Sequence, residues 1–592
     1  MKIMLMIILI LVLSGRIPAI EKQQKEKTDM WQDFCVMEKP LPVPNDRLEG
    51  FNSIRLDEAA AYLRFLASDL LQGRETATAS FDIAAEFAAT FFRLWGIEPA
   101  GDPVPANRLP VSFSGAGNPK PSRSYFQEIQ MKEIVKSTSQ LMVGYSDGSV
   151  IQTRTFQPDV DYSYYARDNR SLSAPVVFVG YGISEKKLKY DEYRGIDVRG
   201  KIVMMITEMP GVNDLNSPFN QAEYKDKYMP RRRMHRLSPK VSLAKEKGAL
   251  AVLLVENSPR KNGDVAKKVI DSRKKDDEKP IFSRTRRRLS LIQSSTSMPW
   301  ETLPYVRISQ EMAEAILEFG KLKLDKVKVR MEKHLIPQSQ ELVGVSVKLE
   351  NQAETRLVRS RNVLGFIKGS DPVLKNEVVV IGAHLDHLGR KGDYIFNGAD
   401  DNGSGSVAVM EIAEAFSRNK IKPRRSVLFA LWTGEESGLL GSRYYVQNPY
   451  FSMGKTVACL NLDMISHTWT LSNLKRINKM WRLGIPESVL GKINLNNFIS
   501  LVMDANSMLI NQAIEASNRY MGLTIYCRKS TRKGWGSDHA PFAGMEVPWV
   551  FCFAATTKDY HEPSDSMEKV DLKLIQKYSR LTYLMAFELA NH

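Results

Sequence analysis

The pattern of apolar and polar positions divides the chain into regions with different predicted secondary structure. Between residues 56 and 100, apolar residues recur at helical spacing in LDEAAAYLRFLASDLL and SFDIAAEFAATFFRLWGIEPAGD, and Gly96 and Pro99 end the second pattern. From about residue 135 to 335 the chain changes to short β-type runs, such as APVVFVGYG and GKIVMMI, separated by glycine, proline and charged stretches. We therefore predict two N-terminal helices followed by a separate β-rich insert.

The rest of the chain, beyond residue 336, alternates apolar strands with helical patterns. The predicted strands are NEVVVIGAH, RSVLFALW, TVACLNLDMI and PWVFCFA, and the predicted helices include SGSVAVMEIAEAF and SGLLGSRYYV. Continuous apolar strands are typical of sheets that are buried on both faces, so we predict an α/β fold with a largely parallel mixed sheet flanked by helices. Ligands of such sheets bind beyond the carboxyl ends of the strands.

Length and composition favour a globular protein with more than one domain. The 592 residues exceed what one hydrophobic core usually organises, and 43% hydrophobic with 25% charged residues is a globular composition. The four cysteines, Cys35, Cys459, Cys527 and Cys552, form no C-x-x-C pair. This spacing argues against a zinc site made of thiolates.

The net charge of +16 raises the question of an anionic partner. Much of the excess lies in four basic runs within the insert, and no zinc-finger or RNA-binding motif accompanies them. The runs are 231–233, 267–268, 273–275 and 286–288. We interpret them as solvated loops, expect the loop from about Ser258 to Arg288 to lie away from every ligand segment, and predict no nucleic-acid partner.

The first residues predict export. Lys2 precedes an apolar stretch over residues 3–13, which is shorter than the roughly 20 residues that span a bilayer. The sequence IPA at residues 17–19 offers a cleavage site. Residues 1–19 are therefore predicted to be a signal peptide, and the mature protein to be secreted or periplasmic without stable membrane insertion. An uncleaved N-terminal anchor is the alternative.

Histidine, aspartate and glutamate residues stand directly beside apolar runs at five places. Mixed nitrogen and carboxylate ligands suit zinc, and five such groups at the mouth of one sheet would repel one another without cations. A pair of hydrolytic zinc ions is the natural candidate. The segments are His384-Leu385-Asp386, Gly398-Ala399-Asp400-Asp401-Asn402, Thr433-Gly434-Glu435-Glu436, Leu462-Asp463 and Tyr560-His561.

In this order the segments resemble the co-catalytic zinc aminopeptidases, the metallopeptidase family that includes bacterial leucine-type aminopeptidases, plasma glutamate carboxypeptidase and the transferrin-receptor-like proteins. The resemblance rests on VVVIGAHLDHLG, NGADDNGSGSVAVMEIAEAF, ALWTGEESGLLGSRYY, LNLDMIS, GSDHAPF and DYHEPSDS, with LASDLLQGRETAT upstream. The insert, which contains VVFVGYGISEKKLKYDEYRGIDVRGKIVMM, is similar to a protease-associated domain.

The resemblance implies a zinc exopeptidase fold interrupted by a β-rich protease-associated domain. Residues 20–134 would form the N-terminal part of the peptidase domain, residues 135–335 the insert, and residues 336–592 the catalytic part. The cofactor implied is zinc, two ions per chain. By motif position, His384 would bind one ion and Glu436 the other. Asp401 would bridge them, and Asp463 and His561 would complete the two ligand sets.

The resemblance also implies roles for residues that do not bind metal. Glu435 would be the general base that takes a proton from water and later delivers it to the leaving amine. Asp386 would support catalysis by orienting His384. His387 and His539 are expected to shape the site rather than bind metal.

The implied activity is that of an aminopeptidase, a zinc-dependent exopeptidase that hydrolyses N-terminal residues from peptide substrates. A carboxypeptidase acting on acidic dipeptides, a glutaminyl cyclase and a non-catalytic receptor-like protein are the alternatives. The insert favours a peptidase over a cyclase, and the complete ligand set argues against a receptor. Ser466-His467-Thr468-Trp469 follows the LDMI strand where the family commonly has glycine and a basic residue, so the preferred substrate side chain stays open. The oligomeric state also stays open.

Overall fold

The computed structural model describes most of the chain in two compact units. The first unit is made of the described residues within 1–132, 281–292 and 357–592, and the second of those within 133–280 and 293–356. All five predicted metal ligands belong to the first unit. The residues described are 33–37, 39–104, 123–146, 148–158, 160–164, 169–212, 214, 216–228, 238–256, 287–292, 303–481, 485–531 and 536–592.

Helices and strands alternate along most of the described residues. The helices are α1 (Asn45–Ser53), α2 (Leu56–Leu66), α3 (Ala79–Leu94), α4 (Ala222–Tyr228), α5 (Ser238–Glu246), α6 (Gln310–Phe319), α7 (Leu324–His334), α8 (Gly405–Arg418), α9 (Leu440–Gln447), α10 (Leu471–Trp481), α11 (Glu487–Leu490), α12 (Met508–Met521), α13 (His539–Gly544) and α14 (Leu572–Asn591). The strands are β1 (Phe34–Val36), β2 (Glu98–Pro99), β3 (Phe126–Ser146), β4 (Ile151–Phe156), β5 (Tyr162–Ser163), β6 (Arg170–Phe178), β7 (Ser184–Glu185), β8 (Tyr190–Asp191), β9 (Ile202–Ile206), β10 (Ala251–Val255), β11 (Arg288–Leu291), β12 (Tyr305–Ile308), β13 (Gln340–Ile367), β14 (Val378–His384), β15 (Gly389–Lys391), β16 (Tyr394–Phe396), β17 (Ser426–Trp432), β18 (Thr456–Leu462), β19 (Phe498–Asp504), β20 (Thr524–Ser530) and β21 (Trp549–Cys552).

The first unit is built on a mixed sheet. Its strand order is β2–β13–β17–β14–β18–β21–β19–β20–β1, with only the last residues of β13 taking part. The central strands β17, β14, β18 and β21 run parallel to one another, as do β19 and β20. The predicted α/β fold with a largely parallel sheet is confirmed.

The central strands are buried along their whole length, as their unbroken apolar sequences predict. Every residue of β14 and β17 is buried, and α8 and α14 pack against β14 and β17. One glycine in β14 is required by a close approach. A Cβ atom on Gly382 would lie 2.5 Å from Nε1 of the Trp432 ring at the end of β17. Strand β14 can therefore pack under this ring only without a side chain at this position.

The two predicted N-terminal helices are present, and the first is shorter than its apolar pattern. The pattern extends to residue 71, but α2 ends at Leu66. Ser68 then caps a separate short turn by accepting a hydrogen bond from the Leu70 N–H at 3.2 Å. A serine side chain offers the backbone this alternative to a continuous helix. The second helix, α3, ends at Leu94, just before the predicted stop at Gly96.

The second unit has its own sheet. Strands β6, β9, β10 and β12 run parallel, and β5 and β13 pair antiparallel at its margins. This unit begins two residues before the predicted boundary at 135 and extends beyond 335 to residue 356, because β13 continues its sheet. The described residues 287–292 group with the first unit instead. The assignment of the insert to the protease-associated class stays a prediction.

Two of the sequence predictions concern segments that the structure does not describe. The predicted signal peptide, residues 1–19, and the basic runs 231–233, 267–268 and 273–275 lie outside the described residues. Within the described part of the chain, no helix is both long enough and apolar enough to cross a membrane.

Helix α8 carries a buried carboxyl group that makes stability depend on pH. Glu411 is 1% exposed, and its Oε2 accepts a hydrogen bond from the Arg55 N–H at 3.0 Å. Burial raises the pKa of Glu411 to about 8, and the nearby charges of Glu58 and Glu414 add to the effect. The folded chain therefore keeps a proton that the unfolded chain releases as the pH rises above about 4.5. The free energy of unfolding should fall as the pH rises from that value to about 8.

We predict that Glu411→Gln removes this pH dependence. The melting temperature of the variant minus that of the native chain should be greater at pH 8 than at pH 5 by roughly 2 °C or more. Thermal unfolding followed by circular dichroism measures this difference. The exposed Glu49→Gln on α1 is the matched control and should show no such change. A Glu411→Gln difference that is the same at both pH values would contradict the assignment.

Candidate metal centre

The five predicted ligands lie together at the carboxyl edge of the sheet in the first unit. His384 is the last residue of β14, and Asp463 directly follows β18. Glu436 follows β17, Asp401 precedes α8, and His561 lies in the loop between β21 and α14. Because β14, β17 and β18 are parallel, the residues at their carboxyl ends meet at one edge. The strand ends identified in the sequence therefore converge.

One set of donor atoms gathers around His384. Its Nε2 lies 3.3 Å from Oδ1 of Asp401 and 3.4 Å from Oδ1 of Asp463. The three side chains are almost fully buried. Their three donor atoms lie close enough to hold one ion between them.

A second set of donor atoms lies on the other side of Asp401. Its Oδ2 is 3.2 Å from Nε2 of His561, and this nitrogen is 3.3 Å from Oε2 of Glu436. The two oxygens of Asp401 thus face different donor sets. This is the arrangement expected of a carboxylate that bridges two metal ions.

The spacing and chemistry of these donors fit zinc. With zinc to ligand distances of about 2.0–2.1 Å, two donors on a tetrahedral ion lie about 3.3 Å apart. The four distances above, between 3.2 and 3.4 Å, match that separation. Oδ1 of Asp463 is also buried without a hydrogen-bond partner among the described residues, which a metal ion would supply.

The electrostatics of the pocket favour positive charge. The carboxylates of Asp463 and Glu435 raise the pKa of His384 well above its usual value, against the effect of its own burial. Burial likewise acts against His561, yet Glu436 and Asp401 raise the pKa of His561 to about 10. In turn, the neighbouring histidines hold the pKa of Asp401 well below its usual range. The pocket is therefore a buried anionic site suited to cations.

Asp386 lies beside His384, as predicted, but its contacts differ from those expected. Nδ1 of His384 makes its 2.9 Å hydrogen bond with the backbone oxygen of Asp386, and the carboxylate Oδ1 is 3.9 Å away. The carboxylate instead accepts hydrogen bonds from the Glu435 N–H, at 3.1 Å, and the Glu436 N–H, at 3.4 Å. Asp386 thus orients His384 through its main chain, and its side chain holds the turn that carries both glutamates.

Glu435 lies next to Glu436 on the turn after β17, and the two side chains differ in their exposure. Glu436 is buried in the second donor set, whereas Glu435 is partly exposed. Burial, with added repulsion from Glu436 and Asp463, raises the pKa of Glu435 well above its usual range. A carboxylate with a raised pKa at the edge of a metal site is suited to accept a proton.

Asp401 is held in place by an aspartate that was not identified from the sequence. Oδ1 and Oδ2 of Asp565 accept hydrogen bonds from the N–H groups of Asp400 and Asp401 at 2.9 and 3.0 Å. Asp400 in turn accepts hydrogen bonds from the N–H and the hydroxyl of Ser466. Asp565 lies in the quoted DYHEPSDS motif, four residues after His561, and this proximity was the available signal.

Arg74 is a second residue that the sequence analysis missed. Its guanidinium is buried and donates hydrogen bonds to the backbone oxygens of Leu385 at 2.9 Å, Asn397 at 2.6 Å, Gly398 at 3.0 Å and Leu66. Burial lowers the pKa of Arg74 to about 10, so it stays charged at neutral pH. One side chain thereby joins α2, the loop after β14 and the loop that leads to Asp401.

Thr76 extends this support to the glutamate turn. Its hydroxyl donates to Oδ2 of Asp386 at 2.9 Å and accepts from the Gly434 N–H at 3.0 Å. The neighbouring Glu75 pairs with Lys391 at 2.6 Å. Arg74, Glu75 and Thr76 lie in the LASDLLQGRETAT motif, so the motif predicted the segment but not its contacts.

The end of the last basic run also lies close to the site. Arg287 and Leu289 line a cavity together with Glu436 and His387, and Nη1 of Arg287 donates to the Thr76 backbone oxygen at 2.8 Å. The interpretation of residues 286–288 as solvated loop away from every ligand segment is therefore wrong for Arg287. Charge patterning in the sequence could not show that the chain returns to the first unit at this point.

His387 and His539 differ in their surroundings. The His539 ring is stacked between Trp549 and Phe551, with ring centroids 4.4 and 4.7 Å away, which agrees with a structural role. The His387 ring is buried beside the second donor set, and its Nδ1 lies 2.9 Å from Oε1 of Glu436.

Comparison with known proteins finds similarity to peptidases. Residues 362–586 match the model of peptidase family M28. The chain is 34% identical over 200 residues to leupeptin-inactivating enzyme 1 of Streptomyces exfoliatus, covering 33% of this chain and 37% of that protein. It is 27% identical over 248 residues to a probable leucine aminopeptidase of Trichophyton verrucosum (strain HKI 0517), covering 40% of this chain and 61% of that protein. The chain thus spans less than two thirds of the length of these relatives.

Solved structures of aminopeptidases also align with the chain. The aminopeptidase from Aneurinibacillus sp. strain AM-1 aligns with a TM-score of 0.45 at 16% identity, over 92% of this chain and 96% of that one. BSAP, a zinc aminopeptidase from Bacillus subtilis, aligns with a TM-score of 0.41 at 16% identity, over 91% of this chain and 96% of that one.

The contacts of Thr76 generate a prediction about metal affinity. Thr76→Val keeps the shape of the side chain but removes the hydroxyl that holds Asp386 and Gly434. We expect zinc affinity to fall by roughly 10- to 100-fold, the usual effect of losing a group that supports metal ligands. Competition with a chromogenic chelator measures this affinity. Thr76→Ser keeps the hydroxyl and is the matched control. Equal zinc affinity of the two variants would show that the hydroxyl does not support the site.

Proposed function

Because residues 362–586 match the model of peptidase family M28, we propose that this chain is an exported two-zinc exopeptidase that removes N-terminal residues from peptides. The observation that carries the proposal is the position of Asp401. Its Oδ1 lies 3.3 Å from Nε2 of His384, which is next to Asp463, and its Oδ2 lies 3.2 Å from Nε2 of His561, which is next to Glu436. A hydrolase with one metal ion would not need such a carboxylate.

Different residues would bind the metal ions, transfer the proton and hold the glutamate turn in place. Zinc bound by the two donor sets would supply a Lewis acid for the scissile carbonyl and lower the pKa of water. Glu435 takes the proton from the attacking water and delivers it to the leaving amine. Asp386 and Thr76 hold the turn of Glu435 and Glu436, so that one glutamate reaches the reacting atoms while the other stays among the ligands.

Alternative functions share this site and are distinguished by substrate. A carboxypeptidase of acidic dipeptides, a glutaminyl cyclase and a non-catalytic receptor-like protein remain the rivals. The complete donor set supports an enzyme over a receptor. Turnover of aminoacyl chromogenic substrates, without turnover of acidic dipeptides or cyclisation of N-terminal glutamine, would support the aminopeptidase.

Export and the nature of the insert are parts of the same proposal. The N-terminal sequence supports a cleaved signal peptide over residues 1–19. N-terminal sequencing should find a mature chain that begins near Ile20. An intact Met1 on cytoplasmic protein would remove this part of the proposal. The insert motifs support a protease-associated domain that belongs with a peptidase rather than a cyclase.

The sharpest prediction contrasts Glu435 with Glu436. Glu435→Gln keeps the size and hydrogen bonding of the side chain but cannot accept a proton. Turnover should therefore fall by roughly 100-fold or more while zinc stays bound. Glu436→Gln should instead lose zinc. Steady-state kinetics together with elemental analysis of both variants gives the comparison. Near-normal turnover of Glu435→Gln, or equal zinc loss in the two variants, would refute these roles.

A further inference from the structure

We propose that His387 is a direct ligand of the second metal ion, beside Asp401, Glu436 and His561. This inference rests on the proposed two-zinc function and deepens it. Nδ1 of His387 lies 2.9 Å from Oε1 of Glu436 and 3.9 Å from Oδ2 of Asp401. These three donor atoms lie close enough together to hold one ion.

The hydrogen bonding of His387 argues for a metal rather than a protein partner. The side chain is fully buried, yet neither ring nitrogen has a hydrogen-bond partner among the described residues. Nδ1 lies within hydrogen-bonding distance of Oε1 of Glu436, but the contact does not have the geometry of a hydrogen bond. Buried polar atoms are rarely left without a partner, because the loss of water is then uncompensated. An ion between Nδ1 and the carboxylates would provide the partner.

The backbone around His387 holds its ring in this place. The His387 N–H donates to the backbone oxygen of Arg74 at 3.2 Å. On the other side the ring lies against Gly398, whose φ is +58°, and a Cβ atom there would lie 2.5 Å from Cγ and Cδ2 of His387. Gly398 thus leaves the space that the ring occupies. The residues that position Asp401 also position His387.

The two metal positions would then be unequal. The first has three protein ligands, His384, Asp401 and Asp463. The second has four, because His387 joins Asp401, Glu436 and His561, and its ring centroid lies 6.0 Å from that of His561. Catalytic zinc commonly has three protein ligands and can expand to five-coordinate. Four protein ligands with one further position are therefore compatible with catalysis. We expect the second position to retain its ion at lower concentrations of free metal.

The alternative is that His387 touches only Glu436 and orients it. Loss of metal affinity in a His387 variant would not separate these roles, because the loss of an orienting group also weakens binding. A count of the imidazoles bound to metal separates them. This count can be made on the native chain, so the test does not depend on whether a His387 variant folds.

The test is proton NMR of the full chain with cobalt(II) in both positions and 15N-labelled histidine. Each imidazole bound through one nitrogen carries its second nitrogen as an exchangeable N–H with a strongly shifted signal. We expect three such signals, from His384, His387 and His561. His387→Gln should lose one of them, and His592→Gln, at the exposed chain end, should lose none.

The possible outcomes are distinct. Two shifted N–H signals in a chain that holds two cobalt ions would overturn the assignment of His387 and leave the proposed function standing. A chain that binds no cobalt at all would contradict both the assignment and the proposed function. If His387→Gln folds, chelator competition should in addition show weaker binding at one position only.

Discussion

The arrangement of the first unit depends on one constraint, the burial of several carboxylates at a single edge of the sheet. Asp401, Glu436 and Asp463 are each less than 10% exposed, and the side chains of Asp386 and Asp565 are buried as well. Buried carboxylates repel one another and lose their hydration, so each needs donors or cations. Asp386 and Asp565 find backbone N–H groups. The oxygens of the other three face histidine nitrogens at the spacing of metal ligands, which leaves cations as their natural partners.

This constraint explains why a segment far away in sequence belongs to the site. The family match begins at residue 362, yet Arg74 and Thr76 supply the hydrogen bonds that join the ligand loops. Arg74 brings a buried positive charge to the carbonyl oxygens of loops that carry acidic residues. The first unit therefore includes the N-terminal helices as a structural part of the candidate metal centre. Arg287, which also belongs to the first unit, contacts the same segment through the backbone oxygen of Thr76.

Much of the fold and the positions of the candidate ligands could be predicted from the sequence. Apolar runs such as VVVIGAH end where buried strands end, so a histidine or aspartate at that point must lie at the sheet edge. Strands β3 and β13 were not predicted, because much of β13 alternates exposed charged residues with buried ones and lacks an unbroken apolar run. The contacts of Arg74 with Leu385, of Thr76 with Gly434 and of Asp565 with Asp401 could not be predicted, because they join residues that are between 164 and 358 positions apart. The directions of side chains could not be predicted from the sequence either. Asp386 was predicted to orient His384, but the sequence did not show that its backbone oxygen makes the contact. The expectation that His387 shapes the site rather than binds metal stays a prediction.

The central claim is that Asp401 joins two metal positions, and metal content tests it most directly. The full chain, purified without chelator, should contain about two equivalents of zinc by elemental analysis. Asp401→Asn should lose most of both ions, because one substitution weakens both donor sets. Asp504→Asn, at the end of β19 outside the donor sets, is the control and should retain both. A native chain with less than about half an equivalent, or an Asp401→Asn variant that retains two, would contradict the account.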